Sequence, residues 1–160
     1  MHLYSIYEVK HSERTVKVQN DIGFVLAHMQ TQFLNIIGNE LFYGNATVIN
    51  RSPSLVQIYV DSNFNGVRDD GFAAYWFTGN LVRYTPAFTG STATSSWQDL
   101  SNRVTVFTFT KLGMPMSENY AVVDITACFD PDEVSYPCGT SENPEITMRS
   151  NLFMPSVSVN

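Results

Sequence analysis

Oxygen-bearing side chains are concentrated in D-S-N-F-N-G-V-R-D-D, residues 61–70, at the spacing of a cation-binding loop. Side chains at positions one, three, five and nine, a backbone carbonyl at position seven and a glycine at position six can wrap a hard cation such as Ca²⁺. Position twelve is Phe72, where an EF-hand has a bidentate glutamate, so Asp69 or Asp70 would supply the remaining carboxylate. We therefore predict a Ca²⁺ site with these ligands: Asp61, Asn63, Asn65, the carbonyl of Val67, Asp69 and Asp70.

A plain hairpin turn without a metal is the alternative for this segment. Asn65-Gly66 between two strand-like stretches is a strong short signal for a β-hairpin. In favour of the metal site, the carboxylates of Asp61, Asp69 and Asp70 would repel one another in a single turn without a cation. The segment is also similar to the calcium loops of thrombospondin type 3 repeats, which lack the EF-hand glutamate too. The sequence leaves both interpretations open.

The two cysteines, Cys128 and Cys138, lie in one segment, C-F-D-P-D-E-V-S-Y-P-C, which lacks the C-x-x-C spacing of a zinc or redox site. Pro131, Pro137 and Gly139 make this a stiff turn region that can bring the two sulfurs together. We predict a disulfide, which implies an oxidising compartment. Two buried thiols in a cytosolic protein are the alternative.

The composition and motifs argue against several classes of function. With nine Lys and Arg against fifteen Asp and Glu, the net charge is −6, so no nucleic-acid partner is expected. The sequence has no G-x-S-x-G elbow, no phosphate-binding glycine loop and no H-E-x-x-H motif, and we expect no enzymatic activity. His28 is interpreted as a residue on a helix face.

The predicted secondary structure that must position these residues changes from helix to strands near residue 50. Apolar residues recur at spacings of three and four within a helix predicted over residues 3–44 and ending near Gly44 and Asn45: Ile22, Val25, Leu26, Met29, Phe33, Ile36, Ile37 and Leu41. Residues 50–53 are predicted to form a turn. Beyond them the periodicity is two, and we predict strands at residues 55–60, 72–77, 81–84, 103–110, 120–129, 145–149 and 156–159, with an exposed loop at 86–96.

These elements predict one domain of the α+β class over residues 1–160. Its helical segment covers residues 1–44 and its β-rich part covers residues 54–160. At 160 residues and 44% hydrophobic content the chain is long enough for one core. We expect the long N-terminal helix to pack on antiparallel β-sheet.

Several motifs follow one another in the order of a known family. The stretch L-Y-S-I-Y-E-V-K-H-S-E-R-T-V-K-V-Q-N-D-I-G-F-V-L-A-H-M-Q resembles a type IV pilin helix just after its membrane-embedded part, and I-I-G-N-E-L-F-Y-G-N-A resembles the end of that helix. The later stretches V-D-S-N-F-N-G, A-Y-W-F-T-G-N-L-V-R-Y, L-S-N-R-V-T-V-F-T-F-T and E-I-T-M-R-S-N-L are similar to the turn, hairpin and strands that follow it. In this order the chain resembles minor pilins of the PilW kind and J-type minor pseudopilins of type II secretion.

The resemblance implies a pilin-like fold and a non-catalytic filament subunit that primes or caps a type IV pilus or a type II secretion pseudopilus. It implies other pilin or pseudopilin subunits as partners, in a hetero-oligomeric filament or tip complex. It also implies a protein anchored in the inner membrane with a periplasmic domain, or an extracellular one within a filament. The family's G-F-T-L-x-E start and apolar helix half do not occur here, so we expect them upstream of residue 1, where they would reach the inner membrane. A calcium-dependent adhesin or binding module on the cell surface is the alternative.

Overall fold

The computed structural model describes residues 2–36, 48–52, 54–60, 72–111 and 120–154 of the chain, and the side chains within them except 2–7, 48–52, 111 and 120. Helix α1 spans His2–Leu34. Its inward face carries five of the predicted apolar residues at three- and four-residue spacing, and all of them are buried: Ile22, Val25, Leu26, Met29 and Phe33.

The predicted helix end near Gly44 is wrong. α1 ends at Leu34, Asn35 forms a turn, and Ile36 makes an antiparallel bridge with Val60. Ile36 is fully buried. The helix does not continue through this residue, because Ile36 pairs with Val60 and buries its side chain there. The predicted helical residues 37–44 lie outside the described part of the chain.

Five antiparallel strands form the first sheet, in the order β1-β2-β3-β4-β5: β1 (Val48–Ser52), β2 (Leu55–Ile58), β3 (Ala73–Thr78), β4 (Leu81–Thr85) and β5 (Gln98–Ser101). The predicted hairpin between β3 and β4 turns through Gly79, whose φ of 58° favours glycine. The turn predicted at residues 50–53 is wrong in part, because residues 50–52 pair with β2 through a β-bulge. The predicted loop at residues 86–96 contains no helix or strand.

Three antiparallel strands form the second sheet, in the order β6-β7-β8: β6 (Val104–Lys111), β7 (Tyr120–Cys128) and β8 (Glu145–Phe153). Alternate residues of β7 are fully buried, as the sequence pattern predicts: Ala121, Val123, Ile125 and Ala127. The strand predicted at residues 145–149 continues to Phe153 because every residue of β8 pairs with β7. The strand predicted at residues 156–159 lies outside the described residues.

A single hydrophobic core joins the helix to both sheets. α1 packs against β5 of the first sheet and against β7 and β8 of the second. The fully buried core residues of the helix include Val18, Ile22, Met29 and Phe33, and each such side chain contributes about 1.5–3 kcal/mol by burial. The protein is therefore α+β, with one N-terminal helix on two antiparallel sheets.

Candidate functional site

The face of α1 turned away from the sheets carries large apolar side chains. Val9, Val16, Phe24 and Leu34 are 56%, 48%, 54% and 53% exposed, and we name these four residues the outward stripe. At 3.6 residues per turn, Val9, Val16 and Leu34 lie opposite the buried face, with Phe24 beside them. Single exposed apolar residues are common on protein surfaces, but alignment along one helix face is typical of a surface that packs on another helix.

A second candidate region is the disulfide loop, which we define as residues 129–144. At its base Cys128 is bonded to Cys138, with their Cα atoms 5.6 Å apart, so the predicted disulfide is confirmed. Its centre is Asn143, which is 1% exposed. The Asn143 side chain donates to the carbonyls of Asp130 and Tyr136 at 2.7 and 2.8 Å and accepts from the Asp130 amide at 2.9 Å. The loop is therefore held together from within.

The disulfide loop is also bonded to the helix. His11 Nδ1 donates to the carbonyl of Ser141 at 2.7 Å, and Arg14 donates to the carbonyl of Glu142. These contacts join residues 128 or more positions apart in sequence. They fix the loop beside the N-terminal half of α1.

Three cations surround the ring of Phe129, the first residue of the disulfide loop. The guanidinium carbon of Arg14, the Nζ of Lys17 and the guanidinium carbon of Arg103 lie 5.2, 5.5 and 5.8 Å from the ring centre, within cation–π range. Arg103 also forms an ion pair with Asp21 of the helix and donates from Nε to the Phe129 carbonyl at 2.8 Å. Helix, loop and the start of β6 therefore meet at this ring.

His28, Tyr75 and Tyr84 form a polar cluster between α1 and the first sheet. His28 Nδ1 lies 2.9 Å from the Tyr75 hydroxyl, its ring centre lies 4.6 Å from that of Tyr84, and the Tyr84 hydroxyl donates to Gln32 Oε1 at 3.0 Å. Burial lowers the pKa of His28, and burial also raises the pKa of both tyrosines, with Tyr84 adding to the effect on Tyr75. The cluster is uncharged at neutral pH and holds the helix to the sheet.

The predicted calcium ligands lie outside the described residues: Asp61, Asn63, Asn65, Val67, Asp69 and Asp70. Within the described ranges, no three His, Cys, Asp or Glu side chains are grouped so as to hold a metal ion. The Ca²⁺ site thus stays a prediction from the sequence.

Sequence reasoning missed the outward stripe and the cations around Phe129. The seven-residue interval between Val9 and Val16 is a signal for the stripe, since it places both on one helix face. No spacing in the sequence indicates the cation cluster, because its members come from α1, the disulfide loop and the residue before β6.

Comparisons with known proteins give no relative: no protein-family model, no curated protein and no solved structure matches this chain. Among the helical residues that the structure describes, no stretch has both the length and the apolar character that crossing a membrane requires.

Proposed function

We propose that the protein is a non-catalytic filament subunit, a minor pilin or minor pseudopilin that primes or caps a type IV pilus or a type II secretion pseudopilus. The observation that carries the proposal is the outward stripe on α1. One face of this helix belongs to the core of the subunit, and the opposite face presents Val9, Val16, Phe24 and Leu34 to solvent. A helix with a second apolar face can bury it by packing against helices of neighbouring subunits.

The layout of the chain supports the same proposal. A 33-residue N-terminal helix lies on antiparallel sheets, the arrangement expected of a pilin-like subunit. The partners would be other pilin or pseudopilin subunits. The protein would act at the inner membrane with its β-rich part in the periplasm, or within an extracellular filament, and the disulfide between Cys128 and Cys138 suits such an oxidising location.

A deletion strain tests this function. The gene is deleted in its own host, surface filaments are counted by electron microscopy, and secreted proteins are measured in the medium. We expect the loss of filaments or of secretion, and recovery with the wild-type gene. A deletion that changes neither filaments nor secretion would contradict the proposal.

Substitution of the outward stripe tests the mechanism separately. Val9→Asp with Val16→Asp should fail to restore assembly, because buried carboxylates in a helix contact carry a large desolvation cost. Both positions are about half exposed, so the isolated protein should keep its melting temperature. Ser12→Asp with Gln19→Asp is the matched control, since it adds the same charge at exposed helix positions outside the stripe.

A further inference from the structure

One flank of α1 carries three cations that take part in none of the described ion pairs. Lys10, Arg14 and Lys17 follow one another at spacings of four and three, so they lie on one side of the helix, and we name them the basic patch. The described ion pairs of the protein are those of Arg83, Arg103 and Arg149, and none includes the basic patch. Lys10 and Lys17 are exposed.

The disulfide loop carries three exposed carboxylates that likewise lack a described ion pair, and we name Asp130, Asp132 and Glu133 the acidic tip. Their oxygens accept hydrogen bonds only from neutral groups among the described residues: the amide of Asp132, the side chain of Asn80 and the amide of Ser135. These bonds hold the carboxylates in place and leave their charge unbalanced.

The basic patch and the acidic tip adjoin each other. Phe129, whose ring contacts Arg14 and Lys17, directly precedes Asp130 in the chain. A surface cavity of about 260 Å³ is lined by Phe129, Asp130 and Asp132 together with Arg103. The basic patch and the acidic tip are therefore neighbours on the surface, joined through Phe129, and we name the two together the bipolar surface.

We propose that this bipolar surface binds a second copy of the same chain across a two-fold axis. A two-fold rotation about an axis between the two patches places the basic patch of each copy on the acidic tip of the other. A surface with adjacent patches of opposite charge is therefore complementary to itself. Val134, which is 91% exposed, and Tyr136, which is 49% exposed, add apolar area next to the acidic tip.

The charges favour a second copy over a polyanion such as nucleic acid or an anionic membrane. A polyanion would gain from three cations but would be repelled by the adjoining Asp130, Asp132 and Glu133 and by a net charge of −6. A partner that fits must carry positive and negative charge at the same separation, and a second copy of this chain does so. The disulfide and the Asn143 hydrogen bonds fix the loop beforehand, which lowers the entropy cost of association. This pairing does not depend on the proposed filament function.

Exchange of the two charge sets tests the pairing by sedimentation equilibrium of the purified protein. The first variant is Lys10→Glu with Lys17→Glu, which leaves the Arg14 hydrogen bond to the loop intact, and the second is Asp132→Lys with Glu133→Lys. Each variant alone brings like charges together, so its dimerisation should be at least about tenfold weaker than that of the wild type. An equimolar mixture should dimerise again, because in the mixed pair both contacts join opposite charges.

A matched control separates this contact from a general effect of charge. Lys10→Gln with Lys17→Gln and Ser12→Glu with Gln19→Glu each change the net charge from −6 to −8, but only the first alters the basic patch. We expect weaker dimers from the first and wild-type dimers from the second, with equal melting temperatures. A wild type that stays monomeric, a mixture that stays dissociated or a mixture that grows beyond dimers would overturn the proposal.

Discussion

Asn143 is the residue whose substitution should most sharply test how the disulfide loop is held. Its side chain is 1% exposed and makes three hydrogen bonds to the backbone of Asp130 and Tyr136. Asn143→Ala removes all three and deprives the Tyr136 carbonyl and the Asp130 amide of this partner, while the Asp130 carbonyl still accepts from the Glu133 amide at 3.3 Å. At about 1 kcal/mol net for each bond, with more for groups that stay buried, we expect a loss of about 2–4 kcal/mol of unfolding free energy.

Asn143→Asp adds a dependence on pH. The carboxylate keeps the contact with the Asp130 amide but places negative charge against the two carbonyl oxygens, so burial and those oxygens should raise its pKa above the ordinary value of about 3.9. The folded state then binds the proton more tightly than the unfolded state. The loss of unfolding free energy relative to the wild type should therefore be largest at a pH well above the raised pKa. It should become smaller as the pH falls through that pKa.

Urea unfolding of wild type and both variants, with the disulfide intact, measures these losses from pH 7 down to pH 4. Asn151→Asp is the control, because Asn151 is exposed on β8 and gains the same charge. A loss below about 0.5 kcal/mol for Asn143→Ala, within the range of ordinary surface substitutions, would refute the assigned role of the side chain. A deficit of Asn143→Asp that stays constant with pH would refute the expected pKa.

Three further predictions concern other parts of the chain. Replacing both Cys128 and Cys138 with serine should lower the unfolding free energy by about 2.5–3 kcal/mol, from the chain entropy of the short loop that they close, and an unchanged urea midpoint would contradict this. Calcium should raise the melting temperature of the wild type and not that of Asp61→Ala; identical melting curves with calcium and with chelator would rule out the metal site. Because burial lowers the pKa of His28, the unfolded state binds its proton more readily, and stability should fall as the pH drops below about 6.5. His28→Gln should reduce that fall, and a fall of unchanged size in this variant would show that another group causes it.

The buried helix face and the central strands were predictable because their periodicity is local. Ile22, Val25 and Met29 recur at helical spacing, and the alternation in β7 matches its buried face. The end of the helix was not predictable, since it depends on the bridge between Ile36 and Val60, residues that are distant in sequence. Tertiary pairing overrides the local preference for helix there.

Two strands also escaped sequence analysis. β1 and β5 have the sequences V-I-N-R-S and Q-D-L-S, in which polar residues outnumber apolar ones. They are strands because β2 and β4 offer them hydrogen-bonding edges, a cause that composition does not reveal. The disulfide was predictable from the cysteine spacing, whereas the cations around Phe129 were not, because Arg14 and Lys17 come from α1 and Arg103 comes from the residue before β6.

The attachment of the disulfide loop to α1 has a consequence for natural variation. His11 and Arg14 donate to the main-chain carbonyls of Ser141 and Glu142, and every amino acid provides such a carbonyl. The residue types at these two positions can therefore change without loss of the helix contacts. The side chains that the loop presents to solvent at these positions can therefore vary while the loop stays attached to the helix in the same way.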